Sequence, residues 1–429
     1  MKLLIKNGRL VHPVTGAVVL LDLLAEDGKV ALMERGIDVE ADQVIDATGL
    51  MVAPGLVDMH VHLRDPGQTY KEDIITGTAA AARGGVTSMA CMANTKPVVD
   101  SPELVKYIID KADNEGSGVQ VYPIAALSQG FQGMETTDFE ELMKAGAIAV
   151  SDDGQNVDNA NLMRDALIKA RRIELPVLCH CEDTSMVDGR AVNEGSVSRQ
   201  LWLEGRPAIA EEIVIMRDAM LAEETGSHVH ICHVSTGRSV DIIRRMKHKG
   251  INITCETCPQ YFTLTEDAVL EKGSMARVNP PLRTAKDVQA IIAGLKDGTI
   301  DVIATDHAPH SAEEKARTLV HAPSGMVGLE TSLAITLTML YHTKKMDMPT
   351  LIRRMTTAPA DILHLNKQSK GRMSLGGDAD LCIFDPDEEW VIDPEQFASK
   401  GRNTPFAGMK VKGKVKYTIV KGQIIYQDK

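Results

Sequence analysis

The sequence predicts an α/β protein: a (β/α)8 TIM-type barrel with a small composite β-sandwich domain formed by the N- and C-terminal segments. Three observations lead there. Between about residues 53 and 365, eight short apolar runs occur with helix-like stretches between most of them, and repeated strand–helix units imply a parallel sheet. Eight is the number of such units that closes a barrel. Before residue 53 and after residue 366 the texture is strands and turns, and neither piece is long enough to bury a sizeable core alone. The expected division is therefore 1–52, 53–365 and 366–429, with the two ends completing one β unit beside the barrel.

Each element has its own signal. At the N-terminus, Leu3-Leu4-Ile5, Val18 to Leu24, Lys29 to Met33 and Gln43 to Asp46 are strand-like, with Asn7-Gly8 and Asp27-Gly28 as turns. Pro54-Gly55 opens the first barrel unit. Leu56 to His62 is the strand, and strict alternation puts Asp58, His60 and His62 on one face. Pro66-Gly67 ends it. Glu72 to Ala82 is helical, and Gly84-Gly85 stops it. The further strands are Val86 to Met92, Val119 to Ile124, Ala147 to Val150, Val177 to His180, His228 to His233, Ile251 to Cys255 and Ile300 to Thr305. No Gly-x-Gly-x-x-Gly follows the first strand, so an open dinucleotide-binding sheet has no support. At the C-terminus, Ala379 to Pro386 and Tyr417 to Tyr426 return to β texture.

Bulk properties narrow the function. Hydrophobic residues make up 44% of the 429, aromatics only 3%, and the 21 methionines fit gap-filling in a core. A net charge of −12 argues against nucleic acid as a partner, but a local basic pocket for an anionic substrate remains compatible with it. No apolar run reaches the length of a membrane span, and the N-terminal apolar stretch is too short for a signal peptide. Seven scattered cysteines suit a reducing cytoplasm without disulfides. Cys255-x-x-Cys258 lacks the partner pair that a zinc ribbon needs.

The chemistry lies at strand ends. Strand one ends in His60-x-His62, strand four in Ser151-Asp152-Asp153-Gly154, strand five in His180, strand six in His228, His230 and His233, and strand eight in Asp306-His307-Ala308-Pro309-His310. In a parallel barrel that end carries function. Histidines with carboxylates and no thiolate are the donor set of hydrolytic metal centres. Spacing leaves two choices open. Alternation puts His228 and His230 on one face and His233 on the other, and either Asp152 or Asp153 could face the metal.

The order His60-x-His62, Asp153, His180, His233, Asp306 resembles the amidohydrolase superfamily. Asp58 to Gly67 and Ala304 to His310 resemble class I dihydroorotases more narrowly. The likeness extends through Gly376 to Leu381 and Asn403-Thr404-Pro405-Phe406, so it covers essentially the whole chain. It implies two zinc ions, one held by His60, His62, Asp153 and Asp306, the other by His180 and His233 with Asp153 as the bridge. Several related amidohydrolases bridge with a carboxylated lysine; no lysine occurs between Lys144 and Lys169, so an aspartate is the consistent choice.

The resemblance also implies the reaction, the reversible cyclisation of N-carbamoyl-L-aspartate to L-dihydroorotate in de novo pyrimidine (UMP) biosynthesis. A metal-bound hydroxide is the nucleophile in the hydrolytic direction, with Asp306 as general acid and base. Substrate would be held by His62, Arg64, Asn94, Asn279, His310 and the loop at Ser324 and Gly325. That loop departs from the family, which usually has Phe where Ser324 stands. The bland alternative for Arg64 is a salt bridge with Asp65 or Glu72. Rival functions are another cyclic amide hydrolase (hydantoinase, dihydropyrimidinase or allantoinase) and a non-catalytic scaffold for aspartate transcarbamoylase. The missing bridge lysine speaks against the first, and the filled ligand positions speak against the second. A homodimer is the default assembly, with association with aspartate transcarbamoylase open.

Overall fold

The computed structural model describes residues 1–428. The chain begins with β1 (Lys2–His12), β2 (Ala17–Glu26), β3 (Lys29–Glu34), β4 (Gln43–Asp46) and β5 (Met51–Pro54). β1 organises this end: it pairs antiparallel with β2, and parallel with β4 through its first half and with β5 through its second.

The barrel strands follow as β6 (Leu56–Val61), β7 (Val86–Cys91), β8 (Gln120–Ala125), β9 (Ala149–Val150) and β10 (Leu178–Cys179). A separate two-stranded ladder, β11 (Val192–Asn193) with β12 (Gly205–Arg206), interrupts the series. β13 (Val229–Ile231), β14 (Ile253–Thr257) and β15 (Val302–Ile303) complete it. All the barrel pairings are parallel, in two arcs: β6-β7-β8-β9 and β10-β13-β14-β15. Single parallel bridges, Val150 to Val177 and Val61 to His307, join the arcs and close the ring. The eightfold count and the closed topology match the expectation from sequence.

The sequence sets the helix ends. Asp73 accepts from the backbone N–H of Thr76, whose hydroxyl is in turn the partner of the Asp73 N–H, so a capping box starts the helix Ile74–Arg83. Its buried face is Ile74, Gly77, Thr78 and Ala80 to Ala82. Gly77 leaves room for Leu63: a Cβ there would stand 2.4 Å from Leu63 Cδ2 and would force that side chain to shift. Small residues on this face let the helix pack close against β7.

Two cores result. Inside the barrel, Val57, Met59, Ala90, Met92, Ile124, Ala149, Leu178, Cys232, Val302 and Ala304 fill the axis. Between barrel and helices lies a larger apolar layer that includes Val61, Met89, Val150, Val229, Ile231 and Ile303. Each such side chain removed from water stabilises the fold by roughly 1.5–3 kcal/mol before entropy is counted. Many of the methionines are buried, Met59, Met89 and Met92 among them, as gap-filling requires.

After the barrel come β16 (Leu381–Val391), β17 (Lys410–Val420) and β18 (Gln423–Gln427). β16 pairs with β5, so both chain ends join in one eight-stranded sheet, ordered β18-β17-β16-β5-β1-β2-β3 with β4 off this path on β1. The sheet curls until its hairpin turns meet: a Cβ on Gly28 would lie 3.2 Å from the Lys421 carbonyl. Leu3, Leu23, Val30, Ile45, Leu381 and Ile419 form the core this curl encloses.

Candidate metal centre at the barrel mouth

The mouth is built from turns that leave the strands abruptly. Arg64, His233 and Asp306 all have positive φ, at 59°, 34° and 48°. Side-chain-bearing residues rarely adopt this region, and they concentrate where function needs a side chain re-aimed. The effect is plainest on β13. Val229 and Ile231 face the outer layer, and His230 and Cys232 face the barrel interior. Alternation would turn His233 outward; its left-handed backbone brings it back over the mouth, 2.9 Å from His180. His228 and His230 do not join the cluster. They share the Thr254 hydroxyl, 2.8 Å from each, deeper in the barrel.

The first strand shows a related departure. The register between β6 and β7 slips between Asp58 and Val61. His60 and His62 still converge on the mouth, but Asp58 does not share their surroundings. Its Oδ1 accepts from the backbone N–H of His60 and of Thr305, both at 3.2 Å. Asp152 and Asp153 differ in their partners, those of Asp152 lying far away in sequence. Asp152 accepts from the N–H of Leu127 at 2.8 Å, from the N–H of Ser128 at 2.9 Å and from the Ser128 hydroxyl. Asp153 is left to face the histidines.

Around Asp153 the distances are short. Its Oδ1 lies 3.5 Å from His60 Nε2, 3.6 Å from His180 Nδ1 and 3.4 Å from His233 Nε2. Its Oδ2 lies 3.5 Å from His62 Nε2. Asp306 Oδ1 is 3.1 Å from His62 Nε2 and 3.6 Å from His60 Nε2. All six side chains are nearly or wholly buried. His60 Nε2 and Asp153 Oδ1 have no hydrogen-bond partner although both are buried. Buried donors and acceptors are normally paired, so converging orphans on a His and a carboxylate fit a site for a cation. The sets His60–Asp153–His233 and His60–His62–Asp306 each bring one donor atom per residue within 4.8 Å of the others.

Electrostatics agree. Burial works to raise the Asp153 carboxyl, but the imidazoles of His60, His180 and His233 outweigh it and hold the group well below the usual carboxylate range. Burial likewise opposes charge on His180, yet Asp153 and Glu182 push it up to about 9. A cluster that draws in protons this strongly is one that a metal ion would occupy in their place.

A cavity opens above these groups. His62, Arg64, Asn94, Asp153, His180, His233, Asn279, Asp306, His310, Ser324 and Gly325 all line it; His60 forms the floor beneath. The residues that the family resemblance named are thus gathered at one place, whereas His228, His230 and Asp152 lie outside it. Arg64 donates through Nε to the Pro309 carbonyl at 3.3 Å and, among the described residues, makes no ion pair. Its alternative partners are engaged elsewhere: Asp65 with Lys111 at 2.7 Å, Glu72 with His307 at 3.3 Å. Asn94 Oδ1 accepts from His62 Nδ1 at 2.8 Å and so orients that ring. Asn279 keeps a buried, unpartnered Oδ1. His310 donates from Nε2 to the Ser324 carbonyl at 2.8 Å, and burial followed by the charges of Arg64 and Lys71 keeps it neutral by lowering its pKa. Ser324, in place of the expected aromatic ring, accepts from Arg277 Nε at 3.2 Å.

Sequence reasoning missed the residues that hold these groups. Asn403, from the segment between β16 and β17, donates to the carbonyls of Ala308 and Gly325 and accepts from the His310 N–H, each at 3.0 Å. Lys315, 1% exposed, donates to the carbonyls of Pro323 at 3.0 Å, Gly325 at 3.1 Å and Arg277 at 3.4 Å. Glu256 lies under His60. A charged residue inside a barrel strand was the available signal, since burial of a lone charge is too costly to occur unpaired. Cys255 and Cys258 are buried, free, and outside the candidate metal-holding groups of the described residues.

Comparison with known proteins adds an independent line. A family model described as dihydro-orotase-like matches residues 49–239. Proteins named dihydroorotase from Acetivibrio thermocellus and Ruminiclostridium cellulolyticum are 47% and 49% identical, each over 100% of this chain and 99% of its own length. Among solved structures, an L-hydantoinase (dihydropyrimidinase) from Arthrobacter aurescens superposes with a TM-score of 0.89 at 26% identity, covering 99% of this chain and 96% of that one. A dihydropyrimidinase from Brevibacillus agri, at 24% identity and a TM-score of 0.86 over 100% of this chain and 95% of its own, shares the fold.

Proposed function

The chain belongs to the dihydroorotase family, and from that premise we propose how its mouth performs the reaction. The activity is that of a dihydroorotase, a cyclic amidohydrolase interconverting N-carbamoyl-L-aspartate and L-dihydroorotate. The finer reading is ours: two zinc ions would be held here, one by His60, His62, Asp153 and Asp306 and the other by His180 and His233 together with Asp153. Zinc, when bound, lowers the pKa of water to around 7 and polarises an amide carbonyl.

The chain's own groups do the rest. In the hydrolytic direction Asp306 takes a proton from the attacking water. As the ring C–N bond breaks, it returns that proton to the departing nitrogen, the ordinary work of a carboxylate within reach of both atoms. Arg64 presents its planar fork to the substrate carboxylate. Asn94, Asn279 and His310 meet the remaining carboxylate and ring amide groups, and the backbone at Ser324 and Gly325 closes one side. The observation that carries this reading is an unpaired, buried guanidinium sharing one cavity with Asp306, which suits a ring bearing a carboxylate better than a neutral hydantoin.

The test is turnover by purified, zinc-loaded protein, with dihydroorotate, hydantoin and allantoin offered in parallel and metal content determined on the same sample. Dihydroorotate alone should react, and Asp306→Asn should lose about 10²–10⁴-fold in kcat with its metal content recorded. Preferential turnover of hydantoin would overturn the role given to Arg64. We place the protein in the cytoplasm, where its seven free cysteines would stay reduced. The reading extends to a homodimer and to assembly with aspartate transcarbamoylase. Sedimentation of the protein alone and mixed with a transcarbamoylase tests both, and a monomer unaffected by the partner would dismiss them.

A further inference from the structure

Glu256 sits on β14 inside the barrel, with no exposed surface, directly below the metal centre. Its Oε1 is 2.5 Å from His60 Nδ1, and its Oε2 is 3.4 Å from His230 Nε2. His230 in turn reaches the Thr254 hydroxyl through Nδ1 at 2.8 Å, and that hydroxyl meets His228 at the same distance. A line of polar groups thus descends the barrel from His60 to His228. His228 lines a second pocket, at the strands' N-terminal end.

A buried carboxylate costs several kcal/mol unless its oxygens are matched by donors. Both oxygens of Glu256 are matched by imidazoles, which explains why the charge is tolerated with no exposed surface. The consequence for His60 is geometric. With Nδ1–H given to Glu256, the ring's only lone pair is on Nε2, and Nε2 is the atom aimed, unpartnered, at the space beside Asp153 and Asp306. A carboxylate on the far nitrogen also makes an imidazole a stronger donor to a metal.

We propose that Glu256, backed by His230, is a positioning residue that fixes the tautomer and orientation of His60 and tightens the hold of the mouth on its metal. The inference rests on the reading of His60 as a metal ligand. A competing arrangement exists in the same place, because donor atoms of His60, Cys232 and Glu256 lie within 4.8 Å of one another and could enclose an ion themselves. It would require Glu256 to release His60 and His60 to surrender its Nδ1–H, so the hydrogen-bonded arrangement is the one the distances favour.

The experiment measures zinc stoichiometry and affinity by chelator competition in wild type, Glu256→Gln and Cys232→Ser. It adds imidazole ¹⁵N shifts of the metal-free proteins, which report the His60 tautomer. Glu256→Gln keeps the shape and removes the charge. It should retain full stoichiometry while binding zinc roughly 10- to 100-fold more weakly; Cys232→Ser should match wild type. His230→Gln, which leaves the Glu256–His60 contact in place, should weaken binding in the same direction by a smaller factor and serves if Glu256→Gln does not fold. Wild-type affinity and an unchanged His60 tautomer in the Glu256 and His230 variants would overturn the proposal. A zinc ion lost from Cys232→Ser would overturn it in favour of direct ligation by Glu256. Wild type that binds no zinc would remove the metal reading itself, an outcome distinct from the other two.

Discussion

At the scale of single residues, the site depends on side chains re-aimed by unusual backbone. His60 and His62 were legible in the sequence because a strand repeats every two residues. His233 was not fixed by that rule, because the rule stops where the strand stops, and a residue at φ 34° obeys neither face. Asp153 was likewise undetermined locally; what distinguishes it is that Asp152 is engaged by Leu127 and Ser128, some 25 positions earlier. Arg64 offers the sharpest prediction at this scale. A hydrogen bond to a charged group is worth about 1.5–3 kcal/mol, so Arg64→Ala should raise KM for dihydroorotate roughly 10- to 150-fold, with a smaller change in kcat. Steady-state kinetics check it, and an unchanged KM would show that the carboxylate binds elsewhere. Arg64→Lys should recover only part of the loss, since an ammonium lacks the planar fork.

At the scale of elements, the short helix Ala312–Lys315 acts on the mouth through its last residue. The Lys315 ammonium ties together the loop before Asn279 and the loop of Ser324 and Gly325 by their carbonyls. Burial, and then the nearby Arg277 guanidinium, push its pKa down to about 7. An unfolded lysine titrates near 10.4. Between those values the unfolded chain therefore binds more protons than the folded one, and stability from this group rises with pH across that window. Below pH 7 both states are protonated and the contribution is at its lowest. Urea melts of wild type and Lys315→Met at pH 6, 7, 8 and 9 should show wild type gaining on the variant as pH rises. A pH-independent difference would contradict the assignment. The strands and helices that carry such residues were readable from periodicity. The clamps were not, because an ammonium that meets three carbonyls from two loops leaves no pattern along the chain.

At the scale of the whole molecule, the barrel could be counted from the sequence, and so could the β texture of both ends. What sequence could not give is that the tail returns to the mouth. Asn403 pins Ala308, Gly325 and His310 from a segment more than ninety residues beyond the last barrel strand. Asn403→Ala would strand three buried backbone groups and should destabilise the protein by about 2–4 kcal/mol while loosening substrate binding, seen as a lower urea midpoint together with a raised KM. The metal proposed for the mouth would be the other global tie. Removing zinc with a chelator should lower the thermal midpoint, because a ligand held at 100 times its Kd stabilises by about 2.7 kcal/mol. Equal midpoints with and without metal would argue that the centre is not loaded in the folded state. The seam between β5 and β16 also has a consequence in time. On the ribosome β1 to β5 and then the barrel strands emerge before β16, so the side chains of the mouth from His60 to Asp306 are all synthesised while β5 has β1 beside it but still lacks its second neighbour. The rim stays unfastened until Asn403 has appeared, so the nascent chain carries the reacting groups well before it carries a working enzyme.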